Sequence, residues 1–152
     1  MRRRRGVIRG LIVRWPYVEM LANGTKKWEL RKCNTKFRGV VALVSRGMLY
    51  GFAELTASFK MNVAKLKRYE HMHRASDILD YYAGGRDSLY VWVFKHPIKL
   101  PSPIKVRYPR GAMIWVYLNE KQVLKAMKER GYERQIRDLL RLQKKHRRPN
   151  LG

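Results

Sequence analysis

The sequence predicts an α+β fold: a small β-barrel with short helices at its periphery and a helix at the C-terminus. Apolar, β-branched or aromatic runs of five to seven residues recur along the chain, punctuated by glycine and proline. The helical stretches between them are few and short, and the longest helical pattern comes last. A doubly wound sheet needs a substantial helix between successive strands, and that alternation is missing. With 152 residues, 45% of them hydrophobic, the chain has the material for one domain with a real core.

The first strand is Val7–Val13, apolar apart from Arg9 and Gly10. It stops at Trp15-Pro16, where proline suits a first helical turn; Val18, Met20 and Leu21 give that helix an apolar side, and Asn23-Gly24 caps it. Lys27–Lys32 is the second strand. Arg38-Gly39 opens the run Val40–Val44, and Arg46-Gly47 turns into Leu49–Leu55, a hairpin at the centre of the sheet. Residues 62–83 have helical composition, with caps at Asn62 and Ser76 and a stop at Gly84-Gly85, which predicts one or two short helices. Leu89–Phe94 and Met113–Leu118 are aromatic-rich strands; the loop between them contains Pro97, Pro101, Pro103 and Pro109, with a short edge strand at Ile104–Tyr108. From Asn119 the pattern is helical, with Val123, Leu124 and Met127 on one face, then Ile136, Leu139 and Leu140 beyond Gly131. The expected organisation is a basic arm at 1–6, the barrel at 7–118, a helical extension at 119–143 and a basic disordered tail at 144–152.

Lys and Arg number 35 against 11 Asp and Glu, a net charge of +24. Residues 1–5 hold +4 of it, residues 119–152 hold +7 and residues 6–118 hold +13, so more than half lies on the globular body. An excess of that size repels itself unless a polyanion screens it, which points to a nucleic-acid partner. The Arg2–Arg5 and Lys144–Arg148 runs add non-specific phosphate contacts. A single cysteine, Cys33, excludes an internal disulfide, fits a reducing, cytoplasmic setting and is expected to be semi-buried. No Cys/His spacing matches a zinc site, and neither a metal nor another cofactor is expected. Arg9 and Arg14 interrupt the apolar stretch after Arg2–Arg5, so no signal peptide is expected, and no run is long enough to span a membrane.

The stretch richest in chemistry is Trp15-Pro16-Tyr17 followed by Gly24-Thr25-Lys26-Lys27-Trp28-Glu29-Leu30-Arg31. Strand alternation puts Lys27, Glu29 and Arg31 on one face and Trp28 and Leu30 on the other, which sets Glu29 between two cations. Lys26, at the turn before the strand, is free to point to the same side. A Pro-Tyr helix start, a Gly-x-Lys-x-x-Glu-x-Arg segment and a following Arg-Gly-apolar strand together resemble the ASCH family. The resemblance continues through Gly51–Leu55, Leu89–Val93, the proline segment and Gly111–Val116, roughly residues 10–118.

The resemblance implies a PUA-like barrel and a nucleic-acid-related role, with a ligand cleft beside the Gly-x-Lys-x-x-Glu-x-Arg segment. The family includes RNA binders, nucleases and an amidohydrolase of acetylated cytidine, so it implies fold more firmly than activity. In that amidohydrolase a threonine nucleophile stands where this chain has Glu29, while its lysine corresponds to Lys26; a carboxylate is a poor replacement for an activated hydroxyl. The expected nucleic-acid-binding residues are Tyr17, Lys26, Lys27, Glu29, Arg31, Ser45 and Arg46, with RNA favoured over DNA and no membrane partner. Were the protein a hydrolase, Lys26 would stabilise developing charge and Glu29 would serve as acid or base; held ionised between Lys27 and Arg31, it makes a weak general acid at neutral pH. A third reading is an interaction module on a nucleoprotein.

Tyr17, beside the cleft, is the expected stacking residue, whereas Trp92 and Trp115 lie in apolar strands and are expected in the core. His71 and His73 are two apart and so do not share a helix face; both are expected on the surface. His96 and His146 have no partner nearby in sequence.

Overall fold

The computed structural model describes residues 5–147, and among these the expected α+β class is found. Six strands, β1 (Val7–Ile12), β2 (Trp28–Arg31), β3 (Gly39–Ser45), β4 (Met48–Asn62), β5 (Ser88–Lys105) and β6 (Trp115–Asn119), form one mixed sheet in the order β2-β5-β4-β3-β1-β6. Only β1 and β3 run parallel; the other neighbours are antiparallel. The helices are α1 (Tyr17–Asn23), α2 (Val63–Leu66), α3 (Glu70–His73), α4 (Leu79–Ala83), α5 (Glu120–Glu129) and α6 (Glu133–Lys145). A single turn of 3-10 helix, Lys67–Tyr69, joins α2 to α3.

The sheet is open, with β2 and β6 as its edges, so the barrel expected from the sequence is not closed by backbone pairing. Side chains bridge the remaining seam. Trp115 of β6 stacks on Trp92 of β5 at 5.5 Å, and Arg31 of β2 donates to the Ile12 carbonyl of β1 at 2.8 Å.

The two faces of the sheet carry separate cores. One, with Ala42, Val44, Phe52 and Leu100, is covered by Val123 and Met127 of α5 and Leu139 and Leu142 of α6. The other, with Leu11, Val41, Leu43, Leu55 and Trp92, is covered by Val18, Leu21 and Ala22 of α1. A third cluster joins Trp28 and Leu30 of β2 to α2 and α4 through Val63, Leu66 and Leu79.

Several boundaries differ from expectation for local reasons. Leu89–Phe94 and Ile104–Tyr108 are not separate strands: β5 runs continuously through Pro97, Pro101 and Pro103. Those prolines fall where the pairing with β4 slips, between Lys95 and Ile98 and between Lys99 and Ile104, so their missing N–H groups remove no ladder bond. The C-terminal helix is two helices, broken at Gly131 (φ 76°), and it is Leu142 rather than Leu140 that is buried. Lys144 and Lys145, expected in a disordered tail, end α6; residues 148–152, like residues 1–4 of the basic arm, lie outside the described residues. Asn62 caps α2 as expected, accepting from the Ala64 amide at 2.8 Å, but Ser76 is no cap: its amide donates to Glu70. Cys33 is exposed rather than semi-buried.

Gly51 shows how tightly the sheet is built under α1. A β-carbon there would lie 2.2 Å from the Ile98 carbonyl oxygen and 3.2 Å from the Ala22 methyl, a clash with backbone that no rotamer relieves. Gly51→Ala is expected to cost about 2–4 kcal/mol, read as a Tm lowered by roughly 5–15 °C. A variant that melts with the parent would mean that β4 and β5 are not in this register.

Candidate functional site

The turn between α1 and β2 decides which charges face inward. Asn23 folds the chain back by accepting from the Thr25 amide at 2.9 Å and the Thr25 hydroxyl at 2.8 Å, and the Lys26 amide donates to Met20 at 3.1 Å. Lys27 is then held by its backbone alone, its amide on Met72 and its carbonyl on Phe94, with the side chain exposed. Lys26 is driven inward and is 2% exposed. The partner of Glu29 is therefore Lys26 and not Lys27.

Glu29 is 8% exposed and lies between two cations. Lys26 Nζ is 3.5 Å from Oε1, and Arg31 Nη2 and Nε are 2.7 and 2.9 Å from Oε2. Burial pushes the carboxyl upward, but Arg31 and then Lys26, through charge and hydrogen bonds, outweigh it and hold Glu29 below the usual glutamate value. Burial lowers the Lys26 ammonium, with Glu29 opposing. Lys26 Nζ also donates to the His73 carbonyl and lies 5.1 Å from the centre of the Tyr17 ring.

His73, expected on the surface, is fully buried at the end of α3. Its Nδ1 accepts from the Ala75 amide at 3.0 Å, so Nε2 carries the proton donated to the Leu66 carbonyl at 2.8 Å. Burial holds the ring below the ordinary histidine value, in keeping with that neutral tautomer. Tyr17 is half-buried, its hydroxyl raised by burial and by the Asp77 carboxylate, and Trp15, two residues before it, is 55% exposed. Arg31 lies 5.6 Å over the buried Trp92, which stacks on the half-buried Trp115; Arg9 sits 4.8 Å over Trp115 and 4.3 Å over Phe37. The site is thus a Lys26–Glu29–Arg31 cluster with the Tyr17 ring beside Lys26 and the Trp92 ring beside Arg31.

Of the residues expected to act together, the fold gathers Tyr17, Lys26, Glu29 and Arg31. Ser45 and Arg46 stand apart in the β3–β4 hairpin, Ser45 buried and Arg46 exposed at φ 49°; no hydrogen bond or ion pair joins them to the cluster among the described residues.

Sequence reasoning missed a second polar cluster on the opposite face. Glu54 of β4, 5% exposed, accepts from His96 Nδ1 at 2.8 Å and from His146 Nε2 at 2.6 Å, with Lys145 Nζ at 3.5 Å. These groups come from β4, a bulge of β5 and the end of α6, so no spacing in the chain links them. Burial raises the Glu54 carboxyl, but the two imidazole donors and Lys145 hold it below its ordinary value. No group of three or more His, Cys, Asp or Glu suited to a metal ion occurs among the described residues.

The geometry defines a class: an α+β domain with an open mixed sheet and a buried lysine–glutamate–arginine cluster beside its first helix. Solved structures of the ASCH protein of Zymomonas mobilis share this fold. The parent superposes with a TM-score of 0.64 at 14% identity, over 79% of this chain and 93% of its own. Two single-residue variants of it give 0.65 and 0.64 at 16% identity, each over 78% of this chain and 94% and 96% of their own. The chain has the fold of an ASCH domain. No family model and no curated protein matches its sequence.

Glu29→Gln is expected to destabilise the protein by about 3–5 kcal/mol at neutral pH, because it strands two buried cations. A carboxyl held below its unfolded value stabilises the fold above the ordinary glutamate range, and that contribution is lost as pH falls through the lowered native value. Denaturant titrations across acid pH should show a shallower loss in the variant than in the parent. Equal stability and equal acid sensitivity would remove Glu29 as the hub.

Proposed function

We propose that this protein binds nucleic acid as an ASCH-domain module, with RNA as its partner, and that the cleft under Trp15 and Tyr17 receives one unpaired base. The open sheet serves as the PUA-like barrel, its seam filled by Trp92, Trp115 and Arg31. The observation that carries the reading is the half-buried Tyr17 ring 5.1 Å from Lys26 of the engaged ion cluster, two residues from the exposed Trp15, on a chain of net charge +24. A base has a π face for Trp15 or Tyr17 to stack on, and phosphates meet the surrounding cations.

Within this reading Lys26 and Glu29 position rather than touch. Lys26 Nζ is already engaged by the His73 carbonyl, Glu29 and the Tyr17 ring, and Glu29 by Arg31. An ionised carboxylate so paired has no proton to give at neutral pH, and with both oxygens taken up by Lys26 and Arg31 it is also a poor base, which favours a binding module over a hydrolase. Arg31 is likewise held by Glu29, the Ile12 carbonyl and the Trp92 ring, so it shapes the site rather than reaching out of it. The exposed Lys27 contributes to the surrounding basic surface, Arg46 adds charge apart from it at the β3–β4 hairpin, and the buried Ser45 takes no part.

Fluorescence anisotropy with a labelled RNA stem-loop should give binding whose affinity falls steeply with salt. Trp15→Ala should weaken binding of the stem-loop about 5–150-fold, the loss of roughly 1–3 kcal/mol of base stacking, while leaving binding to a fully paired duplex unchanged. Absence of binding to both RNA and DNA at low salt would sink the proposal, and turnover of RNA or of acetylated cytidine by the parent but not by Glu29→Gln would replace it with the hydrolase reading.

A further inference from the structure

The helix α6 is amphipathic in an unusually segregated way. Its inner side buries Leu139, Leu142 and Gln143. Arg134, Arg137, Arg141 and Lys144 are all exposed, and their spacings of three, four and three residues place them in one row on the opposite side. Glu133 and Asp138 are close enough in sequence to pair with members of this row, yet no carboxylate forms an ion pair with any of the four among the described residues. The preceding helix α5 adds Lys121 and Lys128, exposed on the side away from its buried Val123 and Met127.

A row of three guanidinium groups and one ammonium on a rigid helix, with no carboxylate paired to it among the described residues, is a surface of one sign, repelled by its own members until an anion array meets it. From Arg134 to Lys144 the rise is about 15 Å, long enough to meet several successive phosphates of one duplex strand. The chemistry of the face also separates duplex from single strand. Single strands are held by aromatic side chains on which bases stack, and the one aromatic residue of the α5–α6 hairpin, Tyr132, is 8% exposed and packed into the core. A surface that offers charge and no stacking suits a partner whose bases are already paired.

We propose that the outer face of α6 is a docking surface for the sugar–phosphate backbone of an RNA duplex. The proposal rests on the nucleic-acid reading above and extends it: recognition is bipartite, with a paired stem on α6 and an unpaired base in the cleft at Trp15. Neither surface shares a residue with the other, so the two can be tested separately.

The test uses the full-length protein and two labelled RNAs, a blunt duplex and the same duplex bearing an unpaired loop, titrated at several salt concentrations. The triple substitution R134Q/R137Q/R141Q touches only exposed side chains and should leave the melting curve unchanged. It should weaken duplex binding at least 10-fold at low salt and reduce the slope of log affinity against log salt by about 2–3, near one per lost phosphate contact. R134K/R137K/R141K, which keeps the charges, should retain most of both. If the parent binds RNA and the triple Gln variant keeps its affinity and slope, the α6 surface is refuted while the cleft reading stands. If the parent binds neither RNA, both fall. Tighter binding of a DNA duplex of the same sequence would overturn RNA as the occupant of this face.

Discussion

A carboxylate taken out of water with two cations around it is the constraint on which this architecture turns. Glu29 sits on a four-residue strand too short to hold its place by backbone pairing alone. Arg31 binds that carboxylate and, with another N–H, the Ile12 carbonyl at 2.8 Å, so one guanidinium ties the β2 edge to β1 across the seam of the sheet. Lys26 binds the same carboxylate and the His73 carbonyl, which fixes α3 beside the turn after α1. Three elements distant in sequence are therefore oriented by one buried charge. Removing Glu29 leaves Lys26 and Arg31 with only the His73 and Ile12 carbonyls in place of a counter-charge, whereas removing one cation leaves the carboxylate the other.

Stacked on this polar knot is an apolar one. Arg31 lies over Trp92, Trp92 under Trp115, and Trp115 under Arg9, so cations and rings alternate from the interior of the cleft to the outer strand. Both guanidiniums keep their charge while covering aromatic surface, which suits arginine better than lysine because its planar group lies flat on a ring. Two of the body's positive charges are thereby built into the fold itself. Exposed cations without ion pairs among the described residues include Lys95, Lys99, Lys105, Arg107 and Arg110 as well as the row on the outer face of α6.

The strands and the first helix were legible because their signals are local. Pro16 and Gly24 bracket α1, and Arg46-Gly47 turns the central hairpin with φ values of 49° and 76°, as a tight antiparallel turn demands. The gathering of Tyr17, Lys26, Glu29 and Arg31 was legible from one short segment; that Lys26 rather than Lys27 faces Glu29 was not, because the Asn23–Thr25 turn changes the alternation just before the strand begins. Prolines misled in β5 since local rules treat them as breakers, whereas the register slips that tolerate them belong to the neighbouring strand. His73 was misjudged because its burial comes from contacts with Leu66 and Ala75 around a turn, and the Glu54 cluster was invisible because its members meet only after the sheet and α6 have packed.

An open sheet leaves two strands with unsatisfied edges, and such edges invite a further strand from another chain. Here the edges are four and five residues long. Exposed Lys27 and Lys32 flank the first, and an incoming strand would have to desolvate both beside an already basic surface. That excess of charge opposes edge-to-edge pairing of like copies at this seam, so that where the sheet lacks ring closure electrostatic repulsion stands against a further strand.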